Sequence, residues 1–309
     1  MELPERIREP ARYWGGILAS AAGNWVRSHA FIYAAALAFF TVFSIAPVMI
    51  LAVAVVGLVL GPQAAEGRLL GELREVIGPQ AADVVETAVA NSQLDQSGWL
   101  PMLAGLTAIL IGATTVFAQM QQSLNRIWDV APRPKRSGLW RFLKARLLSL
   151  TIVLAIGFVL LVSLMLSVAL RAVIRFAEQW LPVPPWSMVA VELGLSLAVV
   201  TMLFAAMFRI LPDVVLRWKD VLPGALVTAL LFTAGRSLIA LYLASTATAS
   251  TYGAAGSLVL LLLWVNYSSL ILLFGAALTR AHVEARGVSV RPRHAAVRIE
   301  RSLHDPREA

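Results

Sequence analysis

Six long apolar stretches alternate with polar connections along this chain. The hydrocarbon core of a bilayer is crossed by about 20 predominantly apolar residues in helical conformation. The predicted crossings are residues 31–60, 99–124, 147–170, 187–211, 221–243 and 256–279. The pattern therefore predicts an all-α integral membrane protein with six transmembrane helices.

Positive charge is distributed unevenly over the connections. Of 26 Lys and Arg residues, 21 precede the first crossing, separate the second from the third, flank the turn between the fourth and fifth, or follow the sixth. The other side has only Arg68, Arg74, Arg171 and Arg175, and Arg236 lies inside the fifth crossing. Because basic connections stay in the cytoplasm, both termini are predicted to be cytoplasmic.

Composition supports a membrane location and explains the basic character of the chain. Hydrophobic residues make up 59% and charged residues 14%, and the mean hydropathy is +0.75. The topology accounts for the isoelectric point near 10.5, so we do not expect nucleic acid as a partner. The expected partners are membrane lipids, with anionic headgroups at the cytoplasmic face. The sequence does not determine whether the protein is a homo-oligomer.

Residues 1–30 form the first of three predicted regions, an amphipathic N-terminal segment. Its apolar residues recur at helical spacing on one face: Trp14, Ile17, Leu18, Ala21 and Trp25. Such a helix can lie in the membrane interface with its Trp residues at headgroup depth. A cytoplasmic helix packed on the bundle is the alternative.

The other regions are the transmembrane domain, residues 31–280, and a basic tail, residues 281–309, predicted to be cytoplasmic and disordered. Within the domain, residues 61–98 carry two apolar helical stripes separated by Pro79. They predict a helical hairpin outside the membrane.

Two further features interrupt the regular pattern of crossings. Pro47 lies in the middle of the first crossing, where it removes a backbone donor and predicts a kink. The link 244–256, which includes Tyr252, carries no charge. It is either a re-entrant segment buried in protein, with Tyr252 lining a cavity, or a tight external turn.

Three sequence patterns that are typical of enzymes are missing from this chain. His29, His282, His294 and His304 lie at or beyond the membrane edge, without a metal-ligand partner at motif spacing. A phosphate-binding glycine loop and a G-x-S-x-G elbow are both missing from the sequence. We therefore expect no catalytic activity, no metal and no cofactor.

Two charges lie well inside the crossings, Glu192 in the fourth and Arg236 in the fifth. A short turn makes these crossings antiparallel neighbours, so both side chains fall at a similar depth. A charge in hydrocarbon is costly unless it is paired or hydrated. The two residues are a candidate charge pair in a polar cavity open to the outside. The alternatives are a structural ion pair or an Arg236 that extends to the headgroups.

Polar residues on two other crossings are candidates for lining that cavity. On the second crossing they fall on one helical face with Ala118: Thr107, Thr114, Gln122 and Asn125. On the sixth crossing the candidates are Asn266 and Ser269. The alternative is that these residues form hydrogen bonds between helices, which requires no ligand.

Four stretches resemble the YihY/BrkB family of bacterial inner-membrane proteins. They are Ala34–Pro47 (AAALAFFTVFSIAP), Gln122–Trp128 (QSLNRIW), Leu211–Asp213 with Trp218–Leu226 (LPD and WKDVLPGAL), and Tyr252–Ser257 with Leu262–Trp264 and Phe274–Ala276 (YGAAGS, LLW and FGA). The resemblance covers residues 15–285. It implies six transmembrane helices in the bacterial inner (plasma) membrane and no established activity, although the family was long labelled ribonuclease BN.

One position departs from the family pattern and another agrees with it. The family usually has an acidic residue after the last Phe-Gly-Ala, where this chain has Ala277. Arg236 falls where the family tends to have Lys or Arg. The resemblance therefore favours a role for Arg236 and gives no support to a mechanism that uses a carboxylate at position 277.

Three hypotheses for function follow from these features. The first is a transporter or flippase-like protein for a lipid or an envelope-related molecule. The second is a non-catalytic scaffold that organises envelope components. The third, for which the residues offer least support, is a membrane-bound nuclease.

Overall fold

The computed structural model describes residues 10–77, 79–91, 99–132, 185–245, 249–293 and 296–299. Within these ranges the chain forms eight helices and four short strands. The helices are α1 (Pro10–Arg27), α2 (Ala30–Leu60), α3 (Pro62–Ile77), α4 (Pro79–Asn91), α5 (Trp99–Ile127), α6 (Pro185–Ile210), α7 (Trp218–Ser245) and α8 (Ala249–Ala285). The strands are β1 (Val130–Pro132), β2 (Val214–Val215), β3 (Arg291–Pro292) and β4 (Ala296–Arg298).

Four of the described helices are long and apolar enough to cross a membrane. The spans are Ala30–Ile50, Leu193–Ile210, Trp218–Leu238 and Leu258–Ala285. They coincide with the first, fourth, fifth and sixth predicted crossings. Helix α5 occupies the second predicted crossing but is not among the four, and the third, 147–170, lies outside the described residues. The total of six crossings therefore stays a prediction.

The helices pack around α8 and α2. Helix α2 packs against α5 and α8, and α7 packs between α6 and α8. The main core gathers buried residues from α1, the end of α5, α6, α7 and the second half of α8. A smaller core joins α2 and α8 to α3 and α4. Antiparallel α6 and α7 follow from their short connection, residues 211–217.

Helices α2 and α5 approach closely because one of the residues at their contact is a glycine. In the contact between α2 and α5, a Cβ added at Gly112 would lie 2.7 Å from Cγ of Pro47. Helix α2 runs through Pro47 without ending, and the kink predicted there stays a prediction. The ring of Pro47 therefore packs against Gly112 at a distance that any larger residue at position 112 would prevent.

Helix α1 uses only part of its predicted apolar face for packing. Ile17 and Ala21 are buried in the main core, and α1 packs against α8. Trp14 and Leu18 remain exposed. The helix thus packs on the bundle and also presents an apolar edge, while its position in the membrane interface stays a prediction.

Helices α3 and α4 occupy the segment predicted to form the hairpin. Arg74 of α3 forms salt bridges with Asp83 and Glu86 of α4, at 2.9 and 2.7 Å. Val85 and Val89 of α4 are buried in the smaller core. Their position outside the membrane is not established by these contacts.

The segment after α8 differs from the disordered tail that the sequence predicted. Gly287, with φ of 68°, ends the helix with bonds from its own N–H to Glu284 and from Val288 N–H to Val283. This left-handed glycine motif turns the chain back towards the bundle. Strand β3 then pairs with β2, and β4 pairs with β1. Backbone pairing, which charge composition does not reveal, therefore orders residues 286–293 and 296–299. The remainder of the tail lies outside the described residues.

The uncharged link 244–256 is largely helical where it is described. Helix α7 continues to Ser245 and α8 begins at Ala249. Residues 246–248 lie outside the described residues, so the position of the link relative to the membrane stays open.

Candidate functional site

The predicted charge pair is only partly visible. Arg236 lies on α7 within the span Trp218–Leu238, and its side chain is exposed. Glu192 lies on α6, which packs against α7, but its side chain is outside the described part of the structure. The pairing of the two charges therefore stays a prediction.

The polar row on α5 does not form one uniform surface. Thr107 and Gln122 are exposed, whereas Thr114 and Asn125 are buried. On α8, Ser269 is buried and Asn266 is half-buried, and the side chain of Tyr252 is outside the described residues. These positions do not by themselves outline a cavity.

One member of that row, Asn125, belongs to a polar junction that we did not predict. Its Nδ2 donates to Oδ2 of Asp213 at 2.8 Å, and its Oδ1 accepts from the backbone N–H of Asp213, also at 2.8 Å. Gln121 donates to Oδ1 of Asp213 at 3.3 Å. Two amides thus bind one carboxylate and fix the end of α5 against the connection 211–217. Arg293 extends the junction, because its N–H donates to the carbonyl of Asp213 at 2.9 Å.

A second junction is centred on Arg280 near the end of α8. One terminal nitrogen donates to the carbonyl of Ile127 at 2.6 Å and to Oδ2 of Asp129 at 2.7 Å. Its Nε donates to Glu284 at 2.7 Å. The same carbonyl of Ile127 accepts from Asn24 of α1 at 3.4 Å. Arg280 therefore connects the end of α8 to the end of α5. The hydrogen bond from Asn24 connects α1 to the same point.

A third contact lies between α7 and α8 and contains no charge. A Cβ at Gly224 would lie 2.0 Å from Oγ1 of Thr279, and a Cβ at Gly275 would lie 1.8 Å from Oγ1 of Thr228. Each threonine hydroxyl donates to the carbonyl of the glycine four residues earlier on its own helix. The helices thus meet through a reciprocal glycine–threonine crossing, with each hydroxyl satisfied within its helix.

The two polar junctions lie at one end of the bundle, which we call the polar end: the end of α5, the connection 211–217, and the chain from Arg280 to residue 299. It includes a narrow cleft lined by Trp128, Val130, Arg280, Glu284, Val290, Pro292 and Arg298. Among the described residues, no group of three or more His, Cys, Asp or Glu side chains is placed to hold a metal ion.

The sequence contained a signal for these contacts. Asn125, Asp213, Gly224 and Gly275 all belong to the four stretches that carry the family resemblance. The structure brings Gln122–Trp128 against Leu211–Asp213, and Trp218–Leu226 against Phe274–Ala276 with the threonine that follows. The resemblance did not indicate which residues meet, because that depends on helix rotation.

Long apolar helices joined by a hydrogen-bonded polar end define a helical membrane protein. This chain belongs to the family described as Virulence factor BrkB, whose model matches residues 21–300. The resemblance inferred from the four stretches is confirmed.

The curated relatives are membrane or ribonuclease-like proteins by name. The chain is 28% identical to the ribonuclease-like protein YfkH of Bacillus subtilis (strain 168), over 67% of this chain and 74% of that protein. It is 28% identical to a UPF0761 membrane protein of Pseudomonas paraeruginosa (strain DSM 24068 / PA7), over 79% of this chain and 57% of the relative. It is 30% identical to one of Stenotrophomonas maltophilia (strain K279a), over 80% and 56%. The matches thus span little more than half of the UPF0761 proteins. No solved structure matches the chain.

The Asn125–Asp213 junction gives a prediction about charge. We expect Asn125→Asp to lower the free energy of unfolding by about 1–3 kcal/mol, because it places a second carboxylate beside Asp213 and removes the amide donor to Oδ2 of Asp213. The measurement is thermal unfolding of the purified protein in detergent, followed by tryptophan fluorescence.

Two variants control for this effect. Gln122→Asp adds the same charge at an exposed position of α5 about one helical turn before Asn125, and is expected to change stability by less than about 0.5 kcal/mol. The exchange Asn125→Asp with Asp213→Asn restores one amide and one carboxylate. If the exchange is no more stable than Asn125→Asp alone, the junction does not act through these two side chains.

Proposed function

We propose that this BrkB-family membrane protein is a transporter or flippase-like protein for a lipid or an envelope-related molecule. The observation that carries the proposal is Arg236, an exposed charge on α7 in the stretch 221–243, whose other residues carry no charge. A guanidinium facing hydrocarbon costs several kcal/mol, so such residues usually face water, a charged partner or a substrate. In this proposal Arg236, paired with Glu192, lies in a polar path open to the outside.

The orientation belongs to the same proposal. We place the protein in the bacterial inner membrane with both termini and the polar end in the cytoplasm. This orientation is supported by the 21 basic residues on alternate connections. At the polar end, Arg217, Lys219, Arg286, Arg291 and Arg298 are exposed. An anionic leaflet would attract such a surface.

A reconstitution experiment tests the proposal. Purified protein is placed in liposomes that contain a trace of fluorescent phospholipid, and dithionite bleaching reports how much probe changes leaflet. We expect the wild type to move probe faster than empty liposomes and Arg236→Leu to abolish the gain, because the charge in the path is lost. Arg68→Gln, which removes an exposed arginine of α3, is expected to behave as the wild type.

Two results of this experiment would contradict the proposal. A folded Arg236→Leu variant with wild-type movement would remove Arg236 from the mechanism. A wild type that moves no more probe than empty liposomes would contradict lipid transport and favour the scaffold. The scaffold has one observation in its favour: the crossing of α7 and α8 at Gly224 and Gly275 is tightly packed, as expected of a rigid framework.

A further inference from the structure

The connection between α6 and α7 has a basic and aromatic surface, which we call the headgroup seat: Arg209, Arg217, Trp218 and Lys219. Arg209 is the penultimate residue of the span Leu193–Ile210, and Trp218 is the first residue of the span Trp218–Leu238. Both side chains therefore lie where two apolar spans end. Tryptophan and basic residues at the ends of spans are found at the depth of lipid headgroups.

Arg209 is held in a fixed orientation. Its guanidinium carbon lies 4.5 Å from the centre of the Trp218 ring, and its Nε donates to the carbonyl of Leu216 at 3.3 Å. Its two terminal nitrogens have no hydrogen-bond partner among the described residues. A planar guanidinium fixed in this way can donate two parallel hydrogen bonds to a phosphate group.

The charge on and beside this connection is net positive, because Arg209, Arg217 and Lys219 outnumber Asp213 and Asp220. Arg217 and Lys219 are exposed on the same connection. The nearby carboxylate, Asp220, is buried, accepts from the backbone N–H of Arg217, and forms a salt bridge with Arg286 at 3.2 Å. Since Asp220 is already neutralised, the seat favours a group with net negative charge over a zwitterion.

An exposed apolar stripe continues from the seat along α7. Trp218, Leu222, Leu226 and Leu230 follow at intervals of four residues, and all four are exposed. From Trp218 to Leu230 the helix rises about 18 Å, slightly more than half of a hydrocarbon core of about 30 Å. A phosphate at one end of a stripe as long as one leaflet is the geometry of a phospholipid.

We propose that the headgroup seat binds the phosphate of an anionic glycerophospholipid, whose acyl chain lies along the stripe of α7. Arg209 donates to the phosphate, and Arg217 and Lys219 provide the remaining positive charge. This site lies at the opposite end of α7 from Arg236 and does not depend on transport. The lipid is a bound component of the leaflet, and its binding can fail or succeed whatever the liposome experiment shows.

Native mass spectrometry of the full chain tests this site. The protein is released from nanodiscs that contain equal amounts of phosphatidylcholine and phosphatidylglycerol, and the retained lipids are counted across a phosphatidylglycerol titration. The test variant is Arg217→Gln with Lys219→Gln, two exposed positions. The matched control is Arg27→Gln with Arg298→Gln, which removes two exposed charges from α1 and β4 at the same end.

We expect one retained phosphatidylglycerol in the wild type and an apparent Kd about 30-fold weaker in the test variant, since it lacks two charges that act near the headgroup. The control is expected to change by less than about threefold, as charges outside the site should. Arg209→Lys, which keeps the charge and loses the fork, should weaken binding as well. Equal weakening in the control, equal retention of phosphatidylcholine, or wild-type binding by a folded test variant would each overturn the proposal.

Discussion

Gly275→Ala is expected to lower the amount of folded protein in the membrane and its unfolding temperature. The added methyl group would lie 1.8 Å from Oγ1 of Thr228. It would also lie 3.0 Å from Cβ of Thr228 and 3.0 Å from Cζ of Phe208. All three atoms belong to the core between α6, α7 and α8, so relief requires the helices to separate. Overpacking of a tight core costs about 1–3 kcal/mol or more. The measurement is the amount of monodisperse protein extracted from membranes, together with its unfolding temperature.

A matched glycine makes this result specific. Gly194 of α6 is exposed and an added Cβ there meets nothing within 4 Å, so Gly194→Ala should be recovered at the wild-type level. Thr228→Ala removes the hydroxyl nearest to the new methyl group and should restore part of the stability of Gly275→Ala. If Gly275→Ala and Gly194→Ala are equally stable, α7 and α8 do not cross as closely as described.

Arg280→Gln is also expected to have a large effect, a loss of about 2–3 kcal/mol in the free energy of unfolding. The side chain of Arg280 is only 14% exposed and that of Asp129 is 27% exposed. Removing the guanidinium deletes its hydrogen bonds to that carboxylate and to the carbonyl of Ile127. Thermal unfolding in detergent measures the loss, and limited proteolysis should show earlier cleavage after α8.

Arg286 provides the comparison for Arg280. Its salt bridge to Asp220 has a longer distance, 3.2 Å, and its side chain is 45% exposed. Exposed pairs contribute about 0–1 kcal/mol, so Arg286→Gln should lower stability much less than Arg280→Gln. The reverse order would show that the polar end is held by other contacts.

Four of the apolar membrane helices and the family could be predicted from the sequence because both depend on local features. Residues 31–60 and 221–243 are apolar over a membrane thickness, and the structure has continuous helices there. The tail could not be predicted in this way. Its basic composition is typical of a solvated segment, whereas its order depends on Gly287 and on backbone pairing with β1 and β2, which are more than 70 residues away in sequence.

The candidate site was harder to predict than the fold. Asn125 was singled out by helical spacing as a lining residue of a membrane cavity, but it binds Asp213 at the polar end. Spacing places residues on one face of a helix and does not show which partner that face meets. Arg280 was counted only among the basic residues that follow the sixth crossing, because its role depends on the end of α5 coming close to the end of α8.

Chemical labelling at position 236 tests the central claim, which is that Arg236 lies in a water-accessible polar path open to the outside. The chain has no cysteine, so Arg236→Cys and Leu238→Cys each introduce a single thiol at nearly the same depth, on different faces of α7. A negatively charged thiol reagent that cannot cross membranes is added to intact cells. We predict that R236C is labelled and that L238C, at an exposed apolar position on a different face of α7, is not. Labelling of neither variant, or equal labelling of both, would contradict the path and leave Arg236 as a residue that extends to the headgroups.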